Sequence, residues 1–214
     1  MVKDPYLNSG YYNATLNNPS QKYKTTELFF KRHNVKRVLD FGCGAGRHTL
    51  LLAKAGFSTY GFDNSFWALK TARSLLREKG LQAKLIRCDM RGRLPYKDGF
   101  FDAVFASRVM YQARVKDIKK SIGEVSRILK DNGYLFWSGP TMETLKILSQ
   151  NEPRESIEPG TTAALEGPFK GIPYHCFSSK EEVAGMLNGF RIIRFDFRGA
   201  TFYLLAQKRV RLNQ

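Results

Sequence analysis

Apolar and polar positions along the chain follow two rhythms. Short apolar runs bounded by Gly, Asn or Asp predict buried strands, and stretches whose apolar residues recur three and four apart predict helices. Val35 to Phe41, Thr59 to Asp63, Ala83 to Cys88 and Phe101 to Ser107 are four such runs. Arg47 to Ala55 predicts a helix stopped by Gly56. Ser65 caps a second, whose Ala68, Leu69, Ala72, Leu75 and Leu76 share a face and which Gly80 ends. Ile118, Ile122, Val125 and Leu129 mark a third stripe, with Lys116, Lys119, Lys120 and Arg127 mostly on the wet side. Asn132-Gly133 then turns into a fifth strand, Tyr134 to Ser138. Near the N-terminus, Pro19-Ser20 opens a helix from about Ser20 to His33, with Ser20 as its N-cap.

Strand and helix alternating over short loops predict an α/β fold: a doubly wound parallel sheet covered on both faces. The tail departs from this. Arg191 to Phe197 and Thr201 to Gln207 are joined only by Arg198-Gly199-Ala200, too short for a crossover, so the pair must be an antiparallel hairpin. Residues 141–178 are rich in Pro, Gly, Thr and Glu, with little strand or helix signal beyond Met142 to Leu148. An insertion of that length is expected to cover the carboxyl ends of the strands and to be mobile without ligand. The chain reads as one domain, 1–214, with an N-terminal helical segment at about 1–34 and the cover at about 141–178.

Composition narrows the function. The chain has 214 residues, 43% hydrophobic and 25% charged, which excludes disorder as the main state. No apolar run approaches the length of a membrane span, and Met1 to Gly10 lacks the apolar core of a secretory signal, so a cytoplasmic location without membrane contact is expected. Cys43, Cys88 and Cys176 are too scattered for a disulfide framework, the histidines are equally dispersed, and no metal site is expected. The 35 Lys and Arg against 19 Asp and Glu give a net charge of +16. That balance suits an anionic partner such as RNA, DNA, a membrane surface or an acidic metabolite. The basic residues are spread along the chain and form no tail, so a generally basic solvated surface accounts for the same numbers.

Chemistry concentrates in Val38-Leu39-Asp40-Phe41-Gly42-Cys43-Gly44-Ala45-Gly46. A strand runs into three glycines at alternate positions, and the N–H groups of the next helix point at whatever the loop holds. The spacing is G-x-G-x-G, not the G-x-G-x-x-G of dinucleotide binding. Asp40 would repel a pyrophosphate but not a ligand with an amino group. Asp63 ends the second strand, where an acid in doubly wound folds accepts from ribose hydroxyls. Cys88-Asp89-Met90 ends the third, where an acid can accept from an exocyclic amine with Met90 against the ring. Each signal alone is weak; three acids, each at the carboxyl end of its own strand, form a pattern.

These residues resemble the class I S-adenosylmethionine (SAM)-dependent methyltransferases. The resemblance covers Val35 to Gly139. It includes the fourth-strand segment Phe100 to Phe105 and the helix-and-turn segment Glu124 to Gly133, where Asp131-Asn132-Gly133 replaces the usual Pro-Gly-Gly. It implies a Rossmann-like, mostly parallel, seven-stranded sheet with a C-terminal antiparallel hairpin, and SAM as cofactor with S-adenosylhomocysteine (SAH) as product. Carried over, Asp40, Gly42 and Gly44 hold the methionine moiety, Asp63 the ribose, and Asp89 and Met90 the adenine, while Ser107 and Arg108 lie beside the methyl group. Gly46-Arg47-His48 and Lys170 to Phe177 are similar to the tellurite-resistance-like, type 11 branch of small-molecule methyltransferases. That branch often has histidine near the positions of Gln112 and Tyr174, and this chain departs from it there.

The expected function is methyl transfer to a small-molecule acceptor, with an anionic one suited to the charge. The alternative is an RNA (tRNA or rRNA) methyltransferase using Arg87, Arg91 and Arg93, although no separate RNA-binding module is recognisable. From other classes, a SAM-binding protein without catalysis and a nucleotide-binding oxidoreductase remain, the latter disfavoured by Asp40 and the glycine spacing. His175, in the cover with Tyr174 and Cys176, is the candidate catalytic base; a histidine packing the cover is the competing reading. His48 is expected at the cofactor loop and His33 at a helix end. Tyr6, Tyr11, Tyr12 and Tyr23 either close over the cofactor or pack an N-terminal helix.

Overall fold

A computed structural model describes residues 21–210. The expected cap at Ser20 and the tyrosines Tyr6, Tyr11 and Tyr12 lie outside the described residues. Helix α1 (Gln21–Arg32) leads into strand β1 (Arg37–Phe41) through Asn34, whose φ of 55° turns the chain. Then follow α2 (Arg47–Lys54), β2 (Ser58–Asp63), α3 (Phe66–Glu78), β3 (Lys84–Arg87), β4 (Phe101–Ser107), α4 (Val115–Ile128) and β5 (Leu129–Pro140). Helix α5 (Met142–Asn151), strands β6 (Arg154–Glu158), β7 (Thr161–Ala164) and β8 (Tyr174–His175), and α6 (Lys180–Gly185) precede the final pair, β9 (Phe190–Arg198) and β10 (Thr201–Lys208).

Among the described residues the large sheet has seven strands in the order β3-β2-β1-β4-β5-β10-β9. The first five run parallel; β10 inserts antiparallel beside β5 and pairs antiparallel with β9. The central strands read as unbroken apolar runs because each face is covered. Val38, Ala103, Phe105 and Phe136 face Tyr23 and Phe30 of α1 and Leu52 of α2. Leu39, Val104, Leu135 and Trp137 face Ile118, Ile122, Val125 and Ile128 of α4. The order reverses between β1 and β4, so the crevice for a ligand opens at their carboxyl ends.

Two expectations change. Leu129 begins a strand instead of closing the α4 stripe: it pairs with Phe101, and a bulge there lets the chain reach Tyr134 opposite Ala103. The cover is more regular than its composition suggests. It contains a three-stranded sheet, β6-β7-β8, whose first hairpin turns at Pro159-Gly160. These strands are short and polar, so little local signal marks them; pairing partners distant in sequence create them.

Between β3 and β4 the chain crosses residues 88–100 with no regular structure, and one side chain fixes the path. Arg127, on the last turn of α4, donates to the carbonyls of Leu94 (2.9 Å) and Tyr96 (2.7 Å) and to Glu124 and Asp98. Glu124 in turn accepts from the Leu94 N–H at 2.8 Å. Arg127→Ala leaves these acceptors without their donor and should cost about 2 kcal/mol. Arg127→Lys, which keeps the charge but not the planar fork, should recover less than half of that. Urea unfolding of the three proteins measures both; a loss below about 0.5 kcal/mol in the alanine variant would remove Arg127 as the anchor.

Candidate cofactor and acceptor site

The glycine loop leaves β1 in left-handed backbone: φ is 66° at Gly42, 52° at Gly44 and 91° at Gly46. At two of these positions space is also exhausted. A Cβ on Gly42 would stand 2.2 Å from Val109 Cγ2, and one on Gly46 would stand 2.8 Å from the Ala72 Cβ. Glycine at 42 therefore lets the segment after β4 press against the loop, and glycine at 46 lets α3 press against α2.

Asp63 fixes the loop from the neighbouring strand. Its Oδ2 accepts from the Gly44 N–H at 2.8 Å and its Oδ1 from the Ser65 N–H at 2.9 Å. Ser65 then caps α3 by accepting from the Ala68 N–H. The Cys43 N–H donates to the Phe62 carbonyl and the Cys88 N–H to the Asp63 carbonyl, so the ends of β1, β2 and β3 are stitched together in sequence. The structure thus brings Asp40, Gly42, Gly44, Asp63 and the Cys88-Asp89-Met90 segment to one end of the sheet.

The expected residues sit there in different states. Asp40 is buried, 2% exposed, and accepts from the Thr49 hydroxyl at 2.6 Å. Burial pushes its carboxyl up to about 7, against the opposing pull of the Thr49 bond and the Arg47 charge. Asp63 is half-buried. Asp89 is gripped by Arg91, whose side chain donates to both carboxylate oxygens at 2.6–3.1 Å and holds the acid below its ordinary range. Met90 packs against the core, and its carbonyl accepts from Ser121. Ser107 ends β4 with its hydroxyl 3.4 Å from that of Ser138 on β5. The next residue, Arg108, has φ of 55°, and its N–H donates to the Ser138 carbonyl.

His175 is not where an acceptor-facing base would be. It has no exposed surface, its Nδ1 lies 2.8 Å from the Thr161 hydroxyl and its Nε2 lies 2.9 Å from Glu182. Both ring nitrogens are committed to protein, and the residue ties the cover's small sheet to α6. Its backbone does approach the site: the His175 N–H donates to the Tyr111 carbonyl, just beyond β4, and the Tyr111 and Tyr174 rings lie 4.6 Å apart. The sequence reading missed Thr49, Val109, Tyr111 and Glu182. The Asp89–Arg91 pair, two residues apart, is the side-chain contact at the site that local spacing marks.

The donor set suits a nucleoside with an amino-acid tail. Acidic oxygens stand at the ends of β2 and β3, and next to the glycine loop two buried polar atoms, Tyr23 Oη and His48 Nε2, have no hydrogen-bond partner among the described residues. These two rings stack at 5.8 Å. Burial, with the Arg47 charge behind it, lowers His48 to about 3, so it is a neutral hydrogen-bonding group. Among the described residues no cluster of His, Cys, Asp or Glu has the makings of a metal site, and no helix is long and apolar enough to cross a membrane.

Residues 38–133 match the family described as a methyltransferase domain. An uncharacterized Haemophilus influenzae protein is 34% identical over 144 residues, 64% of this chain and 56% of that one. Methyltransferase GfsG of Streptomyces halstedii is 32% identical over 118 residues, 52% of this chain and 41% of its own. The chain thus spans about half the length of these relatives. The crystal structure of a SAM-dependent methyltransferase from Clostridium acetobutylicum superposes with a TM-score of 0.72 at 16% identity, covering 94% of this chain and 96% of that one. The strand order and the glycine loop agree with the fold of that structure, and the methyltransferase-domain match spans the glycine loop and the first five strands of the sheet up to Gly133.

The buried Asp40 makes stability depend on pH. Its folded value, about 7, lies above its ordinary 3.8, so the folded state holds the proton more tightly than the unfolded chain. The stability this contributes is complete below about pH 4, falls as pH rises to about 7 and is level above. Asp40→Asn, which keeps an acceptor for Thr49, lacks that decline. Urea unfolding at intervals between pH 4 and 8 should show the variant gaining on the parent across that window; a pH-independent difference would mean that Asp40 is already ionised at pH 4.

Proposed function

We propose that this chain transfers a methyl group from SAM to a small-molecule acceptor held between the end of β4 and the cover. The observation that carries this reading is how the cover is attached. The His175 N–H is bound to the Tyr111 carbonyl, the Phe177 N–H to the Pro140 carbonyl, and Glu158 accepts from the Val115 N–H at 2.7 Å. Residues 141–178 therefore lie against the segments that leave the carboxyl ends of β4 and β5, a placement that suits a small acceptor better than a duplex.

SAM supplies a methyl group already activated on a sulfonium, so alignment and removal of water matter more than a strong base. In this reading the glycine loop and Asp40 receive the methionine end, Asp63 accepts from the ribose, Asp89 and Met90 border the adenine, and Ser107 lies beside the reacting methyl. His175 holds the cover in place and moves no proton. The basic surface steers an anionic acceptor. Arg91 is already paired with Asp89, which leaves less of the local charge for a phosphate backbone.

Calorimetry with SAH tests the cofactor half. Asp63→Ala should bind at least tenfold more weakly, about 1.4 kcal/mol; unchanged affinity would take Asp63 out of the ribose site. A screen of small acceptors read by SAH release tests the other half, together with RNA binding at rising salt. A shallow salt dependence is expected. Tight RNA binding that falls on the order of a thousandfold over a few-fold salt increase would replace the small-molecule reading with an RNA substrate.

A further inference from the structure

An open cleft of 740 Å³ lies away from the cofactor end, against the amino ends of β2 and β3. Strand β2 runs from Ser58 at this cleft to Asp63 at the site, so the two are about 16 Å apart at the usual rise per residue. Phe57, Leu76 and Leu81 give the cleft an apolar lining, and Arg73, Arg77 and Lys84 supply its charge. No acidic residue is among the described residues that line it. The volume is that of a site for a small organic ligand.

The cations are arranged for an anion. Arg73 and Arg77 stand one helical turn apart on α3, so their guanidinium groups share a face. Arg73 Nη2 donates to the Leu85 carbonyl at 3.1 Å, which anchors that guanidinium against β3. Arg77 makes no side-chain hydrogen bond or ion pair with the described residues. Lys84 rests over the Tyr60 ring at 5.2 Å from its centre. Planar forks over an apolar floor suit an oxyanion carried on an apolar body. A nucleic-acid backbone would use the charge but leave the floor unfilled.

We propose that this cleft is a second ligand site, separate from the cofactor site, that binds a small amphipathic anion: an apolar chain or ring bearing a carboxylate, sulfate or phosphate. Its apolar part fills the space over Phe57, Leu76 and Leu81, and its oxyanion lies between Arg73 and Arg77.

Dodecanoate below its micellar range is the probe, titrated calorimetrically into the full chain with and without saturating SAH. One saturable site is expected, with equal affinity in both conditions. The double variant Arg73→Glu/Arg77→Glu should bind dodecanoate at least tenfold more weakly while its SAH affinity stays unchanged, which also reports that it is folded. Arg77→Ala alone should weaken dodecanoate several-fold, and dodecylamine should not saturate the site. The proposal falls if dodecanoate shows no saturable binding, if the charge-reversed variant binds it equally well, or if SAH displaces it, which would put the anion in the cofactor site.

Discussion

The Asp63 carboxylate binds two amides from separate segments, Gly44 in the loop after β1 and Ser65 at the start of α3. Three left-handed glycines make that loop sharp, but they also make it free to move in the unfolded chain, and free backbone is costly to order. A charged acceptor on the adjacent strand removes the freedom by satisfying amides that would otherwise point at water. Because Ser65 is held in the same grip, the start of α3 is set by the same acid. The second-strand carboxylate therefore shapes the glycine loop from within the protein.

The two faces of the sheet divide the work. On the α1 and α2 face, Asp40, Thr49, His48 and Tyr23 form a buried polar group set among aromatic rings, with Phe105 between them and the sheet. Buried polar groups with unfilled bonding capacity are expensive, and here they lie at the end of the sheet where the fold opens for ligands. The α4 face is apolar. It carries Trp137 against Phe177 and Phe202, so the cover and the terminal hairpin are packed into the same core as the central strands.

That shared core also fixes the position of the cover. The cover is joined to the scaffold by backbone bonds at Tyr111 and Pro140 and by the fully buried ring of His175, which bridges Thr161 and Glu182. A histidine saturated in this way is worth more to the position of its neighbours than to proton transfer. Tyr111 and Tyr174, which meet ring to ring, connect the segment after β4 to the cover at the place where the acceptor is proposed to lie.

The sequence by itself determined the central sheet, because strands buried on both faces need continuous apolar runs and the glycine stops between them are local. It also determined the terminal hairpin, whose three-residue connection allows one geometry, and the acids Asp40, Asp63 and Asp89, which fall at strand ends by simple counting. Only the tertiary structure decided the small sheet of the cover, whose short polar strands have no preference strong enough to show without their partners. It alone decided what the acids do: that Asp40 is sealed with Thr49, that Asp63 holds backbone, and that Asp89 is paired with Arg91. The fate of His175 was likewise outside the reach of spacing, since Thr161 and Glu182 come from two other elements. Hydrophobic period is written along the chain, whereas a side chain's bonding partner and its burial are set by segments that meet only in space.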